Sequence, residues 1–375
     1  MKHNLKFIDK ELAQIKKNHI YRSLKFEKSC GAYITINDKK LLNLCSNDYL
    51  GIPATKFQVK QIQSSSRLVS GNDEQFRILE EKLARHKSQQ SSLVYPTGYM
   101  ANLGAISAII KKGDLILSDK LNHASIIESC KLSDAKISIF NHNDVDDLKK
   151  KLQQKANHKF VITEGIFSMD GDYSKMDQIT EIAQKANAVT ILDDAHGDFV
   201  IGNDGKGTAN HYNVSKKIDI YISSLSKGLG SFGGYVASQK NVIDFCINKS
   251  KSFIYTSALP SFLVEYSTKR FDSNREKYRK KLETNRKLLS RGLKEIGYEV
   301  RSDSHIIPLI IGNEKNAMEF SKYIFKNGIF AQPIRYPTVP KDQARLRVTV
   351  TAWLSRKDIE FTLSVFEKAL KHFVH

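Results

Sequence analysis

The chain of 375 residues has no run of eighteen apolar residues and no cysteine spacing of the kind that holds zinc. Charges interrupt the few apolar residues of its N-terminus, MKHNLKFIDKELAQIKKNH, which argues against a signal-peptide core as well as a membrane span. The four cysteines are scattered, at Cys30, Cys45, Cys130 and Cys246, so we expect plain thiols, with no metal site and no disulfide framework. These absences predict a cytoplasmic protein without a membrane partner.

The formal net charge of +19 would suit an anionic partner such as nucleic acid, a membrane surface or a polyphosphate ligand. The lysines, however, fall in short helical surface patterns such as DDLKKKLQQK, without interleaved aromatic residues that could stack on bases. We therefore interpret the charge as a solvated lysine-rich surface and predict no nucleic-acid partner.

Short β-rich runs alternate with helical stretches between about residues 91 and 238. The runs are SLVY, DLILSD, KFVITEG, VTILDD and DIYISS, and helical patterns such as MDQITEIAQKAN lie between them. Strands separated by helices predict an α/β fold with a mainly parallel, doubly wound sheet. Ligands of such sheets bind beyond the carboxyl ends of the strands.

The pattern changes after Ser238. It predicts one long charged helix from about Pro260 to Ile296, the β-rich runs HIIPLIIG and ARLRVTVTA around a helix near residues 315–327, and a terminal helix from Asp358. This predicts a smaller α+β lobe. We expect the first sixty or so residues to pack either with that lobe or with a second subunit. The predicted divisions are an N-terminal segment 1–55, a large domain 56–258 and a C-terminal α+β domain 259–375.

The stretch DIYISSLSKGLGSFGGYVAS contains two motifs that indicate different chemistries. Gly228, Gly230 and Gly233 fit the G-x-G-x-x-G of a dinucleotide-binding loop, whereas Ser224 and Lys227 fit the S-x-x-K of serine-acylating enzymes. A dinucleotide loop must lead into a helix, but these glycines lead into β-like GGYVAS, which predicts a return to an antiparallel neighbour. The acylating enzymes also carry S-D-N and K-T-G, and neither tripeptide occurs.

The stretch still places Lys227 just past the end of a predicted parallel strand. The preceding strand ends in VTILDDAHGDF, which brings Asp193, Asp194 and His196 to the same edge of the sheet. Pyridoxal phosphate requires such a set: an amine for a Schiff base, a carboxylate for its pyridine nitrogen, and a donor near its phenolic oxygen. Asp193 can hold the proton that makes the ring an electron sink.

Two further turns favour the same cofactor. YPTGYMAN changes from strand to helix at Thr97, Gly98 and Tyr99, so backbone N–H groups there can point at a phosphate. SDKLNHAS places His123 just past another strand, where its imidazole can stack on a flat ring.

Motifs along nearly the whole chain resemble those of the α-oxoamine synthases, a family of fold-type-I pyridoxal-phosphate enzymes. They run from SNDYLG through SRLVSG, LNHAS, TEGIFSMDGD, LDDAHG and SLSKGLGSFGG to PIRYPTVPKDQARLRVTVTA. The form DDAHG looks like that of the branch that makes 8-amino-7-oxononanoate in biotin synthesis. The resemblance implies a seven-stranded, mainly parallel sheet between helices, pyridoxal 5'-phosphate as cofactor, and a homodimer with shared active sites.

Carried over motif by motif, the resemblance implies roles around the cofactor ring. Lys227 would be the Schiff-base lysine, Asp193 the partner of the pyridine nitrogen, and His196 the donor to the phenolic oxygen. His123 would stack on the ring, and Ser168 in FSMDGD would be a further contact. The catalytic set is thus Lys227, His123, Asp193 and His196.

The resemblance also implies phosphate contacts. Ser224 would bind the phosphate together with the backbone of Gly98 and Tyr99. Ser257 in IYTSALP would reach the phosphate of the neighbouring subunit, which is why a dimer is expected.

For the substrates, the resemblance implies that Asn47 and Arg347 hold the amino-acid carboxylate, since the planar fork of arginine pairs with both carboxylate oxygens. Arg335 and Arg22 lie in matching motifs as further substrate-binding candidates, and Glu164 lies in one without a defined role. The implied reaction is a decarboxylative Claisen condensation of L-alanine with pimeloyl-CoA, in which Lys227 removes the α-proton and CoA and carbon dioxide leave. The basic surface would favour the approach of the phosphates of CoA.

Three features depart from the family pattern. The span from Gly51 to Arg67 is short and carries SSS, Phe76 stands where histidine is usual, and Asp198 stands where a small residue is common. We expect all three near the substrate entrance, where they bear on the acyl donor. The alternatives are an α-oxoamine synthase for another amino acid, acyl-CoA or acyl carrier protein thioester, and a basic nucleic-acid-binding protein on an inactive scaffold. The presence of Lys227 speaks against the second.

Overall fold

The structure is a computed structural model that describes residues 5–18, 20–22, 24, 26–54, 56, 58–59 and 62–373. The strands are β1 (Glu27–Cys30), β2 (Tyr33–Ile36), β3 (Lys39–Asn43), β4 (Ser91–Tyr95), β5 (Leu115–Asp119), β6 (Lys136–Phe140), β7 (Lys159–Glu164), β8 (Val189–Asp193), β9 (Ile220–Ser224), β10 (Gly234–Ser238), β11 (Ile306–Gly312), β12 (Ile329–Phe330), β13 (Pro333–Ile334) and β14 (Ala344–Thr349). The α-helices are α1 (Lys6–Lys17), α2 (Glu74–Lys87), α3 (Gly98–Ile109), α4 (Ala124–Lys131), α5 (Val145–Lys151), α6 (Met176–Lys185), α7 (Thr208–His211), α8 (Lys240–Lys249), α9 (Lys251–Ile254), α10 (Ser261–Phe271), α11 (Arg275–Ile296), α12 (Glu314–Lys326) and α13 (Arg356–Phe373). Shorter helical turns cover Arg67–Gly71, Asn203–Gly205 and Ser215–Lys217.

The chain divides into two compact units. The large unit contains Asn47–Ser168 and Asp172–Lys281, and the small unit contains the described residues up to Ser46, Met169–Gly171, and those from Leu282 onward. The large unit therefore extends beyond the predicted limits of 56 and 258. Two contacts within it explain the extension: the hydroxyl of Tyr49 lies 2.6 Å from Nδ1 of His196, and Nε of Arg270 donates to the carbonyl of Leu229 at 2.7 Å.

The seven-stranded sheet of the large unit has the order β4-β10-β9-β8-β7-β5-β6. All neighbouring strands are parallel except β10, which is antiparallel to both β4 and β9. This confirms the predicted mainly parallel sheet and the antiparallel return after β9, so the glycines following Lys227 do not begin a helix as a dinucleotide loop would. The sequence reading missed β6, an edge strand whose residues are mostly exposed.

Both faces of this sheet are buried. Along β5, Leu115 and Leu117 pack into one core cluster, whereas Ile116 packs into another. Successive side chains of a strand point to opposite faces, so the continuous apolar run of β5 is what a parallel strand covered by helices on both sides requires.

The predicted helix from Pro260 to Ile296 is wrong as a single element. The structure has α10 and α11 separated at Asp272, Ser273 and Asn274. The side chains of Asp, Ser and Asn compete with the backbone for hydrogen bonds, which favours ends of helices over their interiors.

The small unit is α+β. Its sheets have the orders β1-β2-β3-β12 and β11-β14-β13. Strand β12 pairs in parallel with β3, so the N-terminal strands join the C-terminal elements, as one of the two predicted arrangements requires. Among the described helices, none combines the length and apolar content needed to cross a membrane.

Candidate active site

A hydrogen-bonded row of side chains begins at Lys227, which follows β9. The Nζ atom of Lys227 lies 2.9 Å from Nε2 of His196, which follows β8. On its other side, Nδ1 of His196 lies 2.6 Å from the hydroxyl of Tyr49, and that hydroxyl donates to Oδ1 of Asn47 at 3.1 Å. The large unit thus brings together Lys227, His196 and Asn47, with Tyr49 between the last two.

A second row begins at Asp193, the buried last residue of β8. Its Oδ2 accepts from Nδ2 of Asn102 at 2.6 Å, and its Oδ1 accepts from the backbone N–H of Ala195 at 3.0 Å. Asn102 also donates to the hydroxyl of Ser125, which lies 2.8 Å from Nδ1 of His123. His123 caps the N-terminus of α4 through that same nitrogen. Donors therefore hold both oxygens of Asp193.

The start of α3 forms a close junction with β9 and β10. Thr97 caps the helix, accepting from the N–H of Met100 at 3.1 Å. A Cβ placed on Gly98 would lie 3.0 Å from Cβ of Ser224, and one placed on Gly234 would lie 2.4 Å from the backbone of Gly98. A side chain at Gly234 would thus collide with the backbone, and one at Gly98 would press against Ser224. The first N–H groups of α3, which have no partner within the helix, lie at this junction.

Glu164 ends β7 in register with Asp193 at the end of β8. It is buried, and its Oε1 has no hydrogen-bond partner among the described residues. Burial and the negative charge of Asp193 raise the pKa of Glu164 well above its usual range, against the opposing charge of Lys227.

Comparison with known proteins gives a consistent result. The class I and II aminotransferase family matches residues 39–366. An 8-amino-7-oxononanoate synthase from Thermoanaerobacter pseudethanolicus is 40% identical, with 98% of each chain covered. The chain belongs to the 8-amino-7-oxononanoate synthase family within the class I and II aminotransferases.

Solved structures resemble this chain as well. A serine palmitoyltransferase from Sphingomonas wittichii superposes with a TM-score of 0.91 at 26% identity, covering 98% of this chain and 97% of that chain. An 8-amino-7-oxononanoate synthase from Francisella tularensis superposes with a TM-score of 0.76 at 25% identity, covering 89% of this chain and 99% of that chain. These matches confirm the predicted family and the fold-type-I architecture.

The residues of the large unit fit pyridoxal phosphate, the cofactor of this family. Lys227 supplies an amine, and Asp193 supplies a buried carboxylate that a ring nitrogen can approach. The junction of Gly98 with Ser224, which a side chain at Gly98 would fill, supplies backbone N–H groups and a hydroxyl for a phosphate. The positive ring nitrogen of the cofactor thus has a carboxylate to meet it, and its negative phosphate has hydrogen-bond donors.

The predicted substrate arginines lie in the small unit. Arg347, on β14, donates to the hydroxyl of Thr349 at 3.1 Å, and Arg22 donates to the hydroxyl of Thr338 at 3.3 Å. Burial and the charge of Arg22 lower the pKa of Arg335. The roles of the three arginines toward a substrate stay predictions.

Ser257 is exposed and lies in the segment after α9. Tyr99, predicted to hold the phosphate through its backbone, has a half-exposed ring that meets the ring of His123 edge-on at 6.5 Å between centroids. The contribution of Ser257 to a neighbouring subunit also stays a prediction.

Asp194 does not face the site with its neighbour Asp193. Its carboxylate accepts from Oγ1 of Thr208 at 2.6 Å and from Nζ of Lys87 at 3.0 Å, in the interior. Asp198 accepts from the same Nζ at 2.7 Å and from Nε2 of His86 at 2.9 Å. These four charged or titratable side chains are all buried.

Phe76 and Asp198, both expected near the substrate entrance, lie in the interior of the large unit. Both are buried, Phe76 beneath the guanidinium of Arg67 at 4.0 Å and Asp198 in the cluster with Lys87. The two residues that depart from the family pattern therefore make contacts inside the large unit, Phe76 with Arg67 and Asp198 with Lys87.

Sequence reasoning missed Tyr49 and Asn102, which hold His196 and Asp193. Tyr49 lies in SNDYLG, one of the motifs that carried the resemblance, and Asn102 lies in YPTGYMAN, the predicted phosphate-binding turn. Their place in those motifs was the available signal, but their partners are 147 and 91 residues away along the chain.

Proposed function

We propose that this chain condenses L-alanine with pimeloyl-CoA to give 8-amino-7-oxononanoate, CoA and carbon dioxide, with pyridoxal phosphate as cofactor, in biotin synthesis. The identity of 40% over nearly the full length of the Thermoanaerobacter synthase supports this activity. The observation that carries it is the contact of 2.9 Å between Nζ of Lys227 and Nε2 of His196, which follows the same strand, β8, that ends at the buried carboxylate of Asp193.

Pyridoxal phosphate, when bound, supplies an electron sink for the negative charge that develops at the α-carbon of the amino acid. Lys227 would hold it covalently, and the carboxylate of Asp193 would keep the proton on its ring nitrogen. His123 would lie against the ring, His196 would donate to its phenolic oxygen, and Ser168 would be a further contact. Another set would hold its phosphate: Ser224 and the backbone N–H groups of Gly98 and Tyr99.

Lys227 is positioned to take the α-proton of the amino acid at Nζ. The hydroxyl of Tyr49 donates to Oδ1 of Asn47 at 3.1 Å and lies 2.6 Å from Nδ1 of His196. Nε2 of His196 lies 2.9 Å from the amine of Lys227. This row of contacts orients the amine.

The remaining chemistry concerns the two substrates. Arg347 and Asn47 would hold the carboxylate of the amino acid, since a guanidinium pairs with both of its oxygens. The new bond joins the α-carbon of alanine to the carbonyl carbon of the thioester, and the carbon–sulfur bond breaks to release CoA. Loss of the alanine carboxylate as carbon dioxide completes the reaction.

Absorbance and product formation test this proposal together. The purified protein should bind pyridoxal phosphate with a visible absorbance band and release CoA from pimeloyl-CoA when L-alanine is present. Lys227→Ala should lose the band and the turnover, because the covalent attachment and the base disappear together. The exposed Lys240, which pairs with Asp244 on the surface, provides the control Lys240→Ala, which should keep both. Turnover by Lys227→Ala at the wild-type rate would refute the assignment.

A related synthase with another acyl donor or amino acid is the second candidate. The superposition on a serine palmitoyltransferase, with a TM-score of 0.91, favours it. Release of CoA from a series of acyl-CoA chain lengths, each with alanine, glycine and serine, distinguishes the two. A clear preference for pimeloyl-CoA and alanine supports the first, and a preference for a long-chain acyl-CoA with serine supports the second.

We further propose that the chain works in the cytoplasm as a homodimer in which Ser257 contacts the cofactor phosphate of the other subunit. Ser257 is exposed in the single chain, as a residue that contacts a second subunit must be. Sedimentation should give a dimer. Ser257→Ala should weaken cofactor binding but leave the dimer intact.

A further inference from the structure

His142 lies between two loops at the edge of the large sheet where its parallel strands end. It follows β6, which runs parallel to β5 and ends in register with Asp119. Its Nδ1 atom lies 2.9 Å from Oδ1 of Asp119, and its Nε2 atom lies 2.8 Å from Oδ2 of Asp172. Its ring also meets the ring of Phe167 edge-on, with 4.4 Å between centroids. One imidazole therefore contacts the end of β5 and both ends of the loop between Phe167 and Asp172.

Asp119 begins the turn that leads to His123. Its buried carboxylate accepts from the backbone N–H of Leu121 at 2.8 Å, and its carbonyl accepts from the N–H of Asn122 at 3.2 Å. The other carboxylate oxygen accepts from the N–H of Asn143 at 3.0 Å. Asp119 thus fixes the residues directly before His123 and joins them to the segment after β6.

Asp172 closes the loop that carries Ser168. Its carbonyl accepts from the N–H of Phe167 at 3.0 Å, so these two residues form the base of the loop. Oδ2 of Asp172 accepts from Nδ2 of Asn143 at 2.9 Å, in addition to its contact with His142. Two consecutive side chains after β6 therefore hold the base of this loop.

The geometry also indicates the charge of His142. Ionised carboxylates only accept hydrogen bonds, so an imidazole between two of them must donate from both nitrogens, which requires its protonated form. Although burial lowers it, hydrogen bonds to Asp119 and Asp172 raise the pKa of His142 to about 10, in agreement with this form. Hydrogen bonds between an imidazolium and carboxylates are stronger than those between neutral groups. The bridge between the two loops is therefore a strong one.

We propose that His142 is a positioning residue that holds the turn of His123 against the loop of Ser168, and so places two side chains that contact the cofactor. This rests on the proposed function, in which His123 lies against the ring of pyridoxal phosphate and Ser168 is a further contact. Loops that are already held in place lose less freedom when a ligand binds. The bridge should therefore increase the affinity for the cofactor.

Cofactor affinity of the full chain, freed of cofactor and titrated with pyridoxal phosphate, tests the bridge. Glutamine can donate to one carboxylate but turns its oxygen toward the other, so His142→Gln should bind the cofactor about tenfold more weakly. The visible circular dichroism of the bound cofactor reports how its surroundings hold the ring, and it should weaken as well. The side chain of His142 is 23% exposed, so glutamine can be accommodated there.

His158→Gln is the matched control. His158 directly precedes β7, and its Nδ1 lies 2.9 Å from Oδ1 of Asp114, which directly precedes β5. This histidine–aspartate contact thus lies at the opposite ends of the same two strands. The control should keep the wild-type affinity and the wild-type circular dichroism.

Two substitutions of Asp172 separate the hydrogen bond from the mere presence of a mutation. Asp172→Asn keeps an oxygen that accepts from His142, so its cofactor affinity should stay close to that of wild type. Asp172→Ala removes the acceptor and should lose about tenfold in affinity, as His142→Gln does.

Three results would overturn the proposal. They are a folded His142→Gln protein with wild-type affinity or wild-type circular dichroism, an equal loss in His158→Gln, and equal affinities of Asp172→Asn and Asp172→Ala. If a variant at one position does not fold, the comparison at the other position decides. None of these measurements uses alanine or an acyl-CoA. A protein that binds the cofactor but does not turn over these substrates would therefore refute the proposed function and leave this inference standing.

Discussion

Replacing Lys87 with methionine should destabilise the large unit by about 3–5 kcal/mol, the usual cost of removing one partner from a buried ion pair. Lys87 is 3% exposed, and its Nζ lies 3.0 Å from Asp194 and 2.7 Å from Asp198. It also donates to the carbonyl of Lys206 at 3.0 Å. Methionine fills similar space but removes the cation between two buried carboxylates.

The size of this effect follows from the surroundings. The pKa of Lys87 is raised by Asp194 and Asp198 despite burial, which opposes it, so the lysine is charged in the folded protein. Domains are stable by about 5–15 kcal/mol, so the expected loss is a large part of the total. Because Asp193 precedes Asp194 and His196 lies two residues before Asp198, we also expect weaker cofactor binding.

Urea unfolding followed by circular dichroism measures the change, with Lys82→Met as the control. Lys82 lies on the same helix, α2, and also pairs with an aspartate, Asp272, but at the surface. Exposed pairs contribute about 0–1 kcal/mol, so the control should change little. Adding Asp198→Asn to Lys87→Met should restore part of the stability, because one uncompensated charge is removed. A Lys87→Met protein within about 1 kcal/mol of wild type would refute the reasoning.

Three further predictions concern other side chains. Tyr49→Phe removes the hydroxyl that holds His196 and should lower kcat/KM by about tenfold with a stability change near 1 kcal/mol, and unchanged kinetics would contradict the role of Tyr49. Despite burial, which lowers it, hydrogen bonds to Asp119 and Asp172 raise the pKa of His142 to about 10. Since the unfolded value is about 6.5, this stabilisation is complete below that pH and is lost as pH rises toward the folded value; His142→Gln should flatten the loss in urea unfolding, and an unaltered pH dependence would count against it. Arg347→Ala should weaken binding of alanine by about 2–3 kcal/mol while keeping the cofactor absorbance, and a spectral response to alanine at wild-type concentrations would show that Arg347 does not bind it.

The sequence by itself determined the strands of the large sheet other than β6, and the edge of the sheet at which Lys227, His196 and Asp193 lie. Runs such as LILSD and VTILD place apolar residues at adjacent positions, as a strand covered on both faces requires. The alternation of such runs with helices then orders Lys227, His196, Asp193 and His123 at strand ends. Glycines leading into GYVAS likewise indicated the antiparallel return.

The tertiary structure decided what each of these residues touches. Asp193 and Asp194 are consecutive and chemically alike, yet one is held by Asn102 and the other by Lys87. Neither partner is close in sequence, and the same holds for Tyr49 with His196 and for Glu164 with Asp193. The local pattern of residues predicts helices, strands and turns, because propensity and periodicity depend on residues that are near one another in the chain. Hydrogen bonds and charge pairs between distant segments depend on register and packing, and these form only when the whole sheet and its helices are assembled.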